Sequence, residues 1–537
     1  MSQVESQQCL ANFHASTHEN YGFKPAFQTK SLVAMVLILA ACIGLAPVLL
    51  GDDIMGFTAL RQKYPSITGT GIPVAQVEAG FPAFEVDPSI VGQPASLFVY
   101  FNTNGTAVTG FPNSVGSVSD HANGVAGIFY GLPSGFASGV VRVDNYEASS
   151  FFNHFISGSI SIPTRIVNQS FIFTSLSATD QLLVESDYDD YAATFNVLFL
   201  SGMGNGGPVS APGTAYNSIG VAAYGGASSV GPNSDGRSKP DITAPAGATS
   251  FSTPLVSGAA TLLLQAANQD IGGSGTSASA SDIRTLKSLL LGGAIKPRDW
   301  THGSSAPLDT RYGAGVLNVF NSYTILAAGK HSFVESTVVT TGSSHPAGTN
   351  PGNVTSNVGW DFNSISGTSV QDKVNHYYLN VTNQNGSFTA CLNWNRQVNQ
   401  PKINDLDLFL YDVATGNLVA SSISTIDNVE LIYLAALSKG RYDLQVVKNG
   451  LTKRVTSAES YALTYQVTET SLAISKNDFG SPVAAWPLFP NGFVLESKPS
   501  LDAAWSPVPD PASVVNNSYQ LTLSPTQTSA FYRLRLP

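Results

Sequence analysis

The sequence predicts an α/β domain followed by modules of β-sheet, and two successive patterns of apolar residues support this order. Up to about residue 330, buried apolar strands alternate with helical segments, which is typical of a parallel sheet with helices on both faces. After residue 330, short strands of alternating polarity are separated by turn residues, as in a β-sandwich. Strands of the first region are predicted at 71–80, 139–143, 165–171 and 215–222, and a helix at 180–196.

These patterns divide the 537-residue chain into four segments. A chain of this length can form two to four domains, each with a core of its own. The predicted segments are a signal peptide or membrane segment at 1–51, an α/β domain at 52–330, a β-sandwich at 331–468 and a small β module at 469–537.

Composition favours a protein that leaves the cytoplasm. Charged residues make up 12% of the chain, about half of the roughly 25% found in an average domain. The net charge is −10 and the sequence contains no basic cluster, which argues against nucleic acid as a partner. Of the three cysteines, Cys9, Cys42 and Cys391, only Cys391 lies in the expected mature region. A disulfide framework and a thiolate metal site are therefore excluded.

The N-terminal region is predicted to contain a targeting signal. Lys24 and Lys30 precede an uncharged apolar run at 31–50, which is typical of a signal peptide with a long n-region. A membrane anchor is the alternative, because about 20 apolar residues can span a bilayer. The alanine, glycine and proline residues of the run favour cleavage. Residues 39–42 also resemble a lipoprotein cleavage box, but the apolar run continues beyond them. We therefore expect a secreted or cell-envelope protein.

A serine at the start of a buried helix is the candidate nucleophile. Apolar residues from Leu255 to Ala266 recur at helical spacing and predict a helix that begins near Ser250. Pro254 is expected early in this helix, where a missing N–H costs nothing. A serine there lies near unpaired amides that stabilise charge on an attacked oxygen, although a helix-capping role is the alternative. Ser281 is predicted to cap the next helix.

Candidate partners for this serine lie upstream. The strand at 71–80 ends at Glu78, and His121 opens a helix of small residues. Glu85 and Asp87 are alternative candidates for the acidic residue. Asn205 lies in a glycine-rich loop after a buried strand, where an ordinary turn is the alternative interpretation.

Several of these segments resemble motifs of subtilisin-like serine proteases, the subtilase or peptidase S8 family. Residues 248–254, Ala-Thr-Ser-Phe-Ser-Thr-Pro, resemble the Gly-Thr-Ser-Met-Ala-x-Pro motif around the family's nucleophile. This alignment assigns the nucleophile to Ser250 and not to Ser252. Residues 239–245, Lys-Pro-Asp-Ile-Thr-Ala-Pro, resemble the family's Lys-Pro-Asp-x-x-Ala-Pro segment.

The remaining motifs follow in the family's order but depart from it in detail. The strand that ends at Glu78 resembles Val-Ala-x-Ile-Asp-x-Gly, whose Asp orients the catalytic histidine. His121 matches the first His of the His-Gly-Thr-His-Val-Ala-Gly box, while Gly124 replaces the second. Asn205 matches the Asn of Ala-Gly-Asn-x-Gly, whose amide donates to the oxyanion. The resemblance covers about residues 60–330.

The resemblance implies a subtilisin-like fold and a secreted serine endopeptidase that acts on polypeptides through a Ser-His-Glu triad and an acyl-enzyme. No cofactor is expected for the chemistry. The alternative is a catalytically inactive relative that acts as an extracellular binding protein, which the changed acid and degraded His box support. Only about 20 residues separate Leu50 from Gly71, too few for a folding prodomain. We therefore expect a chain that folds unaided or lacks conventional autoinhibition.

The C-terminal third resembles the prepeptidase C-terminal domain, or a related jelly roll, of secreted proteases. Asp405 and Asp407 are candidate ligands of a structural calcium ion. Their alternation favours instead outward-facing residues of an edge strand. The last module, at 469–537, is expected to serve retention at the cell surface. Strands of the sandwich are predicted at 404–411, 428–434, 440–447 and 461–467.

Overall fold

A computed structural model describes residues 53–535, and the N-terminal apolar run lies outside them. Within this range, no helix is long and apolar enough to cross a membrane. The described chain forms two compact units: residues 68–265 with 397–399, and residues 53–67, 266–396 and 400–535. The predicted domain boundaries stay predictions. Residues 274, 355, 369, 383–385, 451–454, 470, 489–492 and 524–529 are not described.

An eight-stranded sheet forms the centre of the first unit. Its order is β10-β9-β8-β7-β1-β6-β3-β4, and all neighbours are parallel except β3 and β4. Strands β2 and β5 form a separate parallel pair. This sheet confirms the predicted α/β class. The strands are β1 (Pro73–Glu78), β2 (Ala83–Glu85), β3 (Phe98–Phe101), β4 (Ala107–Thr109), β5 (Ser117–Val118), β6 (Arg142–Glu147), β7 (Ile166–Gln169), β8 (Leu198–Gly202), β9 (Ile219–Tyr224) and β10 (Ile242–Pro245).

Polar side chains set the helix starts. Ser119 accepts a hydrogen bond from the Ala122 N–H at the start of α2. Asp282 caps α7 by accepting from the Arg284 N–H, so the predicted cap at Ser281 is wrong by one residue. The described helices are α1 (Phe57–Lys63), α2 (Asp120–Phe129), α3 (Ala148–Ser150), which continues as a π-helix (Phe151–Ile156), α4 (Ala178–Phe195), α5 (Thr249–Asn268), α6 (Ser277–Ala280), α7 (Ile283–Gly292) and α8 (Val319–Ala327), with a 3₁₀ turn at Ala95–Leu97.

The strand predicted at 139–143 is displaced towards the C-terminus. Strand β6 begins at Arg142, and Val141 before it is 48% exposed. The apolar residues at 139–143 suggested a strand, but the buried part of β6 contains Asp144 and Asn145. Their burial depends on tertiary contacts, such as the Asn145 side chain that accepts from the Val86 N–H.

The carboxyl ends of the parallel strands carry three of the predicted functional residues, together with Ser170, which was not predicted. Glu78 is the last residue of β1, and Ser170 directly follows β7. Asn205 lies three residues after β8, and Ser250 follows β10 at the start of α5. The carboxyl ends of parallel strands lie on the same side of a sheet, where α/β proteins bind their ligands.

The second unit is built mainly of antiparallel sheets, as predicted for the C-terminal region. A five-stranded sheet has the order β11-β13-β18-β15-β16, and a four-stranded sheet the order β12-β19-β14-β17. The hydroxyls of Tyr377 and Tyr461 lie 2.6 Å apart and link the two sheets. Their strands are β11 (Glu335–Thr340), β12 (Val358–Ser366), β13 (Gln371–Val381), β14 (Gly386–Trp394), β15 (Leu406–Asp412), β16 (Leu418–Ser422), β17 (Val429–Leu437), β18 (Gly440–Lys448) and β19 (Ala458–Thr468).

The C-terminal module contains two small sheets around a separate apolar core that includes Trp486 and Leu495. The sheets have the orders β20-β21-β25-β24 and β23-β22-β26. Their strands are β20 (Ala473–Lys476), β21 (Pro482–Pro487), β22 (Val494–Lys498), β23 (Ser506–Pro507), β24 (Ser513–Val515), β25 (Ser518–Thr522) and β26 (Phe531–Arg535).

Asp405 and Asp407 do not face outward from an edge strand, which corrects that prediction. They are only 4% and 5% exposed, and β15 has a neighbour on each side, β18 and β16. Asp407 accepts a hydrogen bond from the Asn449 side-chain amide. Their polar surroundings come from neighbouring strands and loops, which the alternation of one strand does not reveal.

Candidate active site

The candidate acid is held at the end of a buried strand. Glu78 is 1% exposed, and Gln76 is fully buried two residues earlier. Side chains two residues apart point to the same face of a strand. The strand therefore places a neutral amide beside the carboxylate in a site that solvent hardly reaches.

The candidate base begins the helix opposite this strand end. His121 is the second residue of α2, and its Nδ1 lies 2.7 Å from Oε2 of Glu78. Burial would lower the pKa of His121, but the charge of Glu78 and its hydrogen bond outweigh burial and raise that pKa above its ordinary value. The carboxylate thus stabilises the protonated imidazole and favours the tautomer with its proton on Nδ1.

The other carboxylate oxygen of Glu78 also has a donor. Gln76 Nε2 lies 2.8 Å from Glu78 Oε1 and 2.9 Å from the Ala122 carbonyl oxygen. The Tyr130 hydroxyl donates to Gln76 Oε1 at 2.6 Å. These bonds join the acid strand to both ends of α2, so that one buried amide fixes the acid relative to the helix of the base.

The candidate nucleophile lies in the first turn of the helix that follows β10. Helix α5 begins at Thr249, and Ser250 is half-buried at its second position. The first backbone N–H groups of a helix have no partner within it, and the helix dipole makes this end positive. The Ser250 N–H can therefore contribute to the stabilisation of an anion.

Pro254 lies inside α5. The expectation that its missing N–H would cost no helical hydrogen bond is therefore wrong. In a regular helix, the N–H of residue 254 would donate to the Ser250 carbonyl oxygen. The Ser170 hydroxyl donates to this oxygen instead, at 2.9 Å. Ser170 thus replaces the bond that proline removes and ties the Ser250 backbone to the end of β7.

The two serines of the nucleophile motif lie in different environments. Ser252 is fully buried, and its hydroxyl donates to the Thr249 carbonyl oxygen at 3.1 Å. Ser250 is the more accessible of the two. Among the described contacts there is no hydrogen bond between Ser250 and His121. Catalytic hydrogen bonds are often long in the absence of substrate and shorten in its complex.

The side chain of Asn205 is oriented by the residue that precedes Ser250. Its Oδ1 accepts from the Thr249 N–H at 2.8 Å and from the Thr249 hydroxyl at 2.9 Å. A backbone N–H can only donate, so these bonds fix which end of the amide is the oxygen. The exposed Asn205 therefore directs its Nδ2 donor away from Thr249.

Two departures from the family pattern meet beside the base. Phe251 stands where the family has Met, and its ring centroid lies 5.9 Å from that of His121. A Cβ atom added to Gly124 would lie 3.2 Å from Cε1 of Phe251. The loss of a side chain at Gly124 therefore leaves room for the larger Phe251 ring.

The alternative acids have other partners. Glu85 Oε1 accepts from the Gly116 N–H at 2.5 Å, and burial raises the pKa of Glu85. Asp87 Oδ1 accepts from the N–H and the hydroxyl of Ser89. Of the three candidate acids, the structure therefore places only Glu78 in contact with His121.

Sequence reasoning missed four residues of this arrangement, although one signal was present. A polar residue in an otherwise apolar buried strand, two positions before the candidate acid, identifies Gln76. The contacts of the other three residues depend on the tertiary fold, which their local sequence does not reveal. These residues are Tyr130, Ser170 and Thr249.

The part of the chain that is described contains no group of three or more His, Cys, Asp or Glu residues that could hold a metal ion. The calcium assignment to Asp405 and Asp407 therefore stays a prediction.

Comparison with known proteins gives a family match over part of the chain. Residues 69–315 match the model of the subtilase family. A search of curated proteins gives no match. Among solved structures, the protease domain of PatA is 21% identical, with a TM-score of 0.36 over 49% of this chain and 98% of that chain.

Two other proteases are similarly distant. The Aeromonas sobria serine protease, solved with its chaperone, is 14% identical, with a TM-score of 0.33 over 75% of this chain and 89% of that chain. A lanthipeptide protease is 16% identical, with a TM-score of 0.36 over 53% of this chain and 97% of that chain. At these identities and TM-scores, the solved structures do not indicate a function for this chain. The similarity to subtilases therefore depends on the family match over residues 69–315.

Proposed function

We propose that this chain, a member of the subtilase family through residues 69–315, is a secreted serine endopeptidase. Glu78, His121 and Ser250 form its triad. The main support for the proposal is the 2.7 Å hydrogen bond between His121 and the buried Glu78, at the carboxyl ends of the strands, where Ser250 lies in the first turn of α5. The family match supports a serine peptidase.

In the proposed reaction, His121 Nε2 takes the proton of the Ser250 hydroxyl while Oγ attacks the carbonyl carbon of the scissile bond. Glu78 accepts from Nδ1 and stabilises the imidazolium. Collapse of the tetrahedral intermediate breaks the C–N bond, and His121 returns the proton to the leaving amine. Water then attacks the acyl-enzyme with the same base, which releases the carboxylic acid and regenerates Ser250.

Two donors are proposed to stabilise the oxyanion. The Ser250 N–H lies in the first turn of α5, and Nδ2 of Asn205 is the second donor. The bonds from Thr249 to Asn205 Oδ1 orient this amide before the substrate binds. Removal of one such donor commonly costs 10²–10³-fold in kcat. The donors and the triad use protein groups alone, so no cofactor is proposed.

The rival function is an inactive relative that binds polypeptides outside the cell. The changed acid and the degraded His box favoured it. The geometry favours the enzyme, because Glu78 keeps the bond to the imidazole and Gly124 accommodates Phe251. Both departures therefore have a structural reason that is compatible with catalysis.

Labelling with a fluorophosphonate tests the proposal. An activated serine should react with the probe, and peptide mapping should find the label on Ser250. We expect Ser250→Ala to abolish labelling and to lower kcat by about 10⁶, the order seen on removal of the nucleophile of a subtilisin. Ser252→Ala is the matched control, because Ser252 bonds within the helix, and it should keep much of the activity.

Two results would contradict this assignment. Labelling at Ser252, or equal losses from the two substitutions, would show that the motif alignment is displaced by two residues. No labelling of folded wild-type protein, together with no peptidase activity, would favour the inactive relative.

Export and surface association complete the proposal. The uncharged apolar run at 31–50 after two lysines supports an N-terminal signal that is cleaved. The β modules of the second unit are proposed to retain the protein at the cell surface. N-terminal sequencing of native protein checks the cleavage, for which we expect a start beyond the apolar run. Membrane-bound protein with residues 1–30 intact would instead identify an anchor.

A further inference from the structure

We propose that Gln76 and Tyr130 are positioning residues, which hold the Glu78 carboxylate and through it set the orientation and proton affinity of His121. The inference rests on the proposed function, since it concerns how that triad is aligned. It adds two residues that touch neither the substrate nor the nucleophile in the proposed reaction. Both are fully buried.

The bonding pattern allows one orientation of the Gln76 amide. Its Nε2 contacts the Ala122 carbonyl oxygen and the Glu78 carboxylate, and neither can donate when Glu78 is ionised. The nitrogen must therefore face them, and Oε1 must face Tyr130. The Tyr130 hydroxyl then has to donate. Burial, with the charge of Glu78, raises the pKa of Tyr130 well above its ordinary value, which keeps this proton in place.

The longer side chain of glutamate explains the need for this support. Glu78 has one more rotatable bond than aspartate, so its carboxylate has more orientations to lose when it aligns with His121. The bond from Gln76 to Oε1 restricts that rotation and leaves Oε2 directed at Nδ1 of His121. The second bond of the amide, to Ala122 beside His121, fixes the distance between strand and helix.

The network should also tune the base. A buried carboxylate that loses a donor is less well stabilised and binds an adjacent imidazolium more strongly. Removal of the Gln76 amide should therefore raise the pKa of His121 further. Without this bond the Glu78 carboxylate is less well aligned with His121. This change should lower kcat more than it changes KM, because the buried Gln76 contacts Glu78 and not the substrate in the proposed reaction.

The experiment compares Gln76→Met and Tyr130→Phe with wild type in the full chain. We expect kcat to fall by about 10- to 100-fold for Gln76→Met and by less for Tyr130→Phe, with KM changed by less than about two-fold. The pKa of His121 is measured independently of activity, by NMR titration of histidine-labelled protein. His121→Ala identifies the signal among the eight histidines.

The first unit offers a matched control. Gln169 is also fully buried, donates to the Tyr188 hydroxyl at 2.7 Å and lies on the adjacent strand, opposite Val77. It makes no described bond to Glu78 or His121. Gln169→Met should destabilise the sheet to a similar extent but leave the His121 titration unchanged.

The outcomes separate this inference from the proposed function. An unchanged His121 titration in both Gln76→Met and Tyr130→Phe would overturn it, as would an equal shift in Gln169→Met. If Gln76→Met does not fold, Tyr130→Phe decides, since it removes one hydroxyl and keeps the ring. A wild-type protein without serine labelling would refute the proposed peptidase, whereas active wild type with unaffected variants would refute only the positioning role.

Discussion

The two units each contain a histidine bonded to a buried carboxylate, but the surroundings of the two rings differ. His121 Nδ1 lies 2.7 Å from Glu78, and its side chain is 34% exposed. His376 Nδ1 lies 2.9 Å from Asp443, and the side chain is 3% exposed. Nε2 of His376 is also occupied, by the Thr337 hydroxyl at 2.7 Å.

The difference shows what distinguishes a candidate base from a structural brace. The Thr337-His376-Asp443 series contains a hydroxyl, an imidazole and a carboxylate, the same three groups as a serine-protease triad. Asp443 additionally accepts from the Gly348 N–H and the Gln445 amide, so this cluster holds a loop against β18. His121 combines one bonded nitrogen with an accessible ring. Accessibility and the helix start behind Ser250, rather than the pair itself, identify the candidate active site.

The largest expected effect comes from removal of each histidine in turn. His121→Ala should lower kcat by about 10⁶, because the proposed base is lost. His376→Ala should keep activity near wild type and destabilise the fold by on the order of 3 kcal/mol, since it leaves the buried Asp443 carboxylate without its bond to the imidazole. Peptide hydrolysis and calorimetric unfolding measure the two effects.

Asp443→Asn is the control for the brace, because it keeps the shape and removes the charge. It should follow His376→Ala in stability and leave kcat near wild type. The comparison would fail if His376→Ala abolished hydrolysis while the first unit stayed folded, or if His121→Ala left turnover intact.

A smaller loss is expected when the carboxylate of the first pair is changed. Glu78→Gln keeps the shape but favours the wrong imidazole tautomer, and by analogy with a triad acid it should lower kcat by roughly 10⁴. Glu78→Asp should cause a modest loss, because the site is packed around the longer side chain through Gln76. Steady-state kinetics on a peptide substrate measure both effects.

The pair of Glu78 substitutions also tests the assignment of the acid. Near-normal turnover in Glu78→Gln would exclude Glu78 as the orienting residue and direct attention to Glu85 or Asp87. If kcat of Glu78→Asp equals or exceeds that of wild type, the site tolerates glutamate but is not packed specifically around the longer side chain.

The sequence predicted the order of layers because periodicity depends mainly on local residues. The predicted strand at 71–80 contains β1, and the predicted helix at 180–196 overlaps α4 almost completely. Errors arose where the tertiary fold decides. Strand β6 buries Asp144 and Asn145, and an apolar pattern cannot identify a buried strand of this kind.

The sequence predicted the chemical groups of the candidate site but not the hydrogen bonds that hold them in place. Motif spacing identified Glu78, His121, Asn205 and Ser250, whereas their roles stay predictions. No local pattern indicates that Ser170 would replace the hydrogen bond removed by Pro254. That contact joins residues 80 positions apart in the sequence, and it forms only because the fold brings the end of β7 next to the start of α5.

The smallest effect expected from the histidine comparison is a displacement of pH dependence. Burial alone would lower the pKa of His121, but Glu78 raises it above 6.5, so the acid limb of kcat/KM should lie above pH 6.5. In Glu78→Gln the charge of the carboxylate is lost, and the acid limb of the residual activity should move to lower pH.

The same pKa shift of His121 affects stability, because the folded protein binds this proton more tightly than the unfolded chain does. The stabilisation from His121 is therefore complete below the unfolded pKa and is lost as pH rises through the folded value. Activity and this part of stability should change in opposite directions over the same pH range, which rate profiles and unfolding measured across that range would detect. An acid limb at the same pH in wild type and Glu78→Gln would mean that the titrating base is not the partner of Glu78.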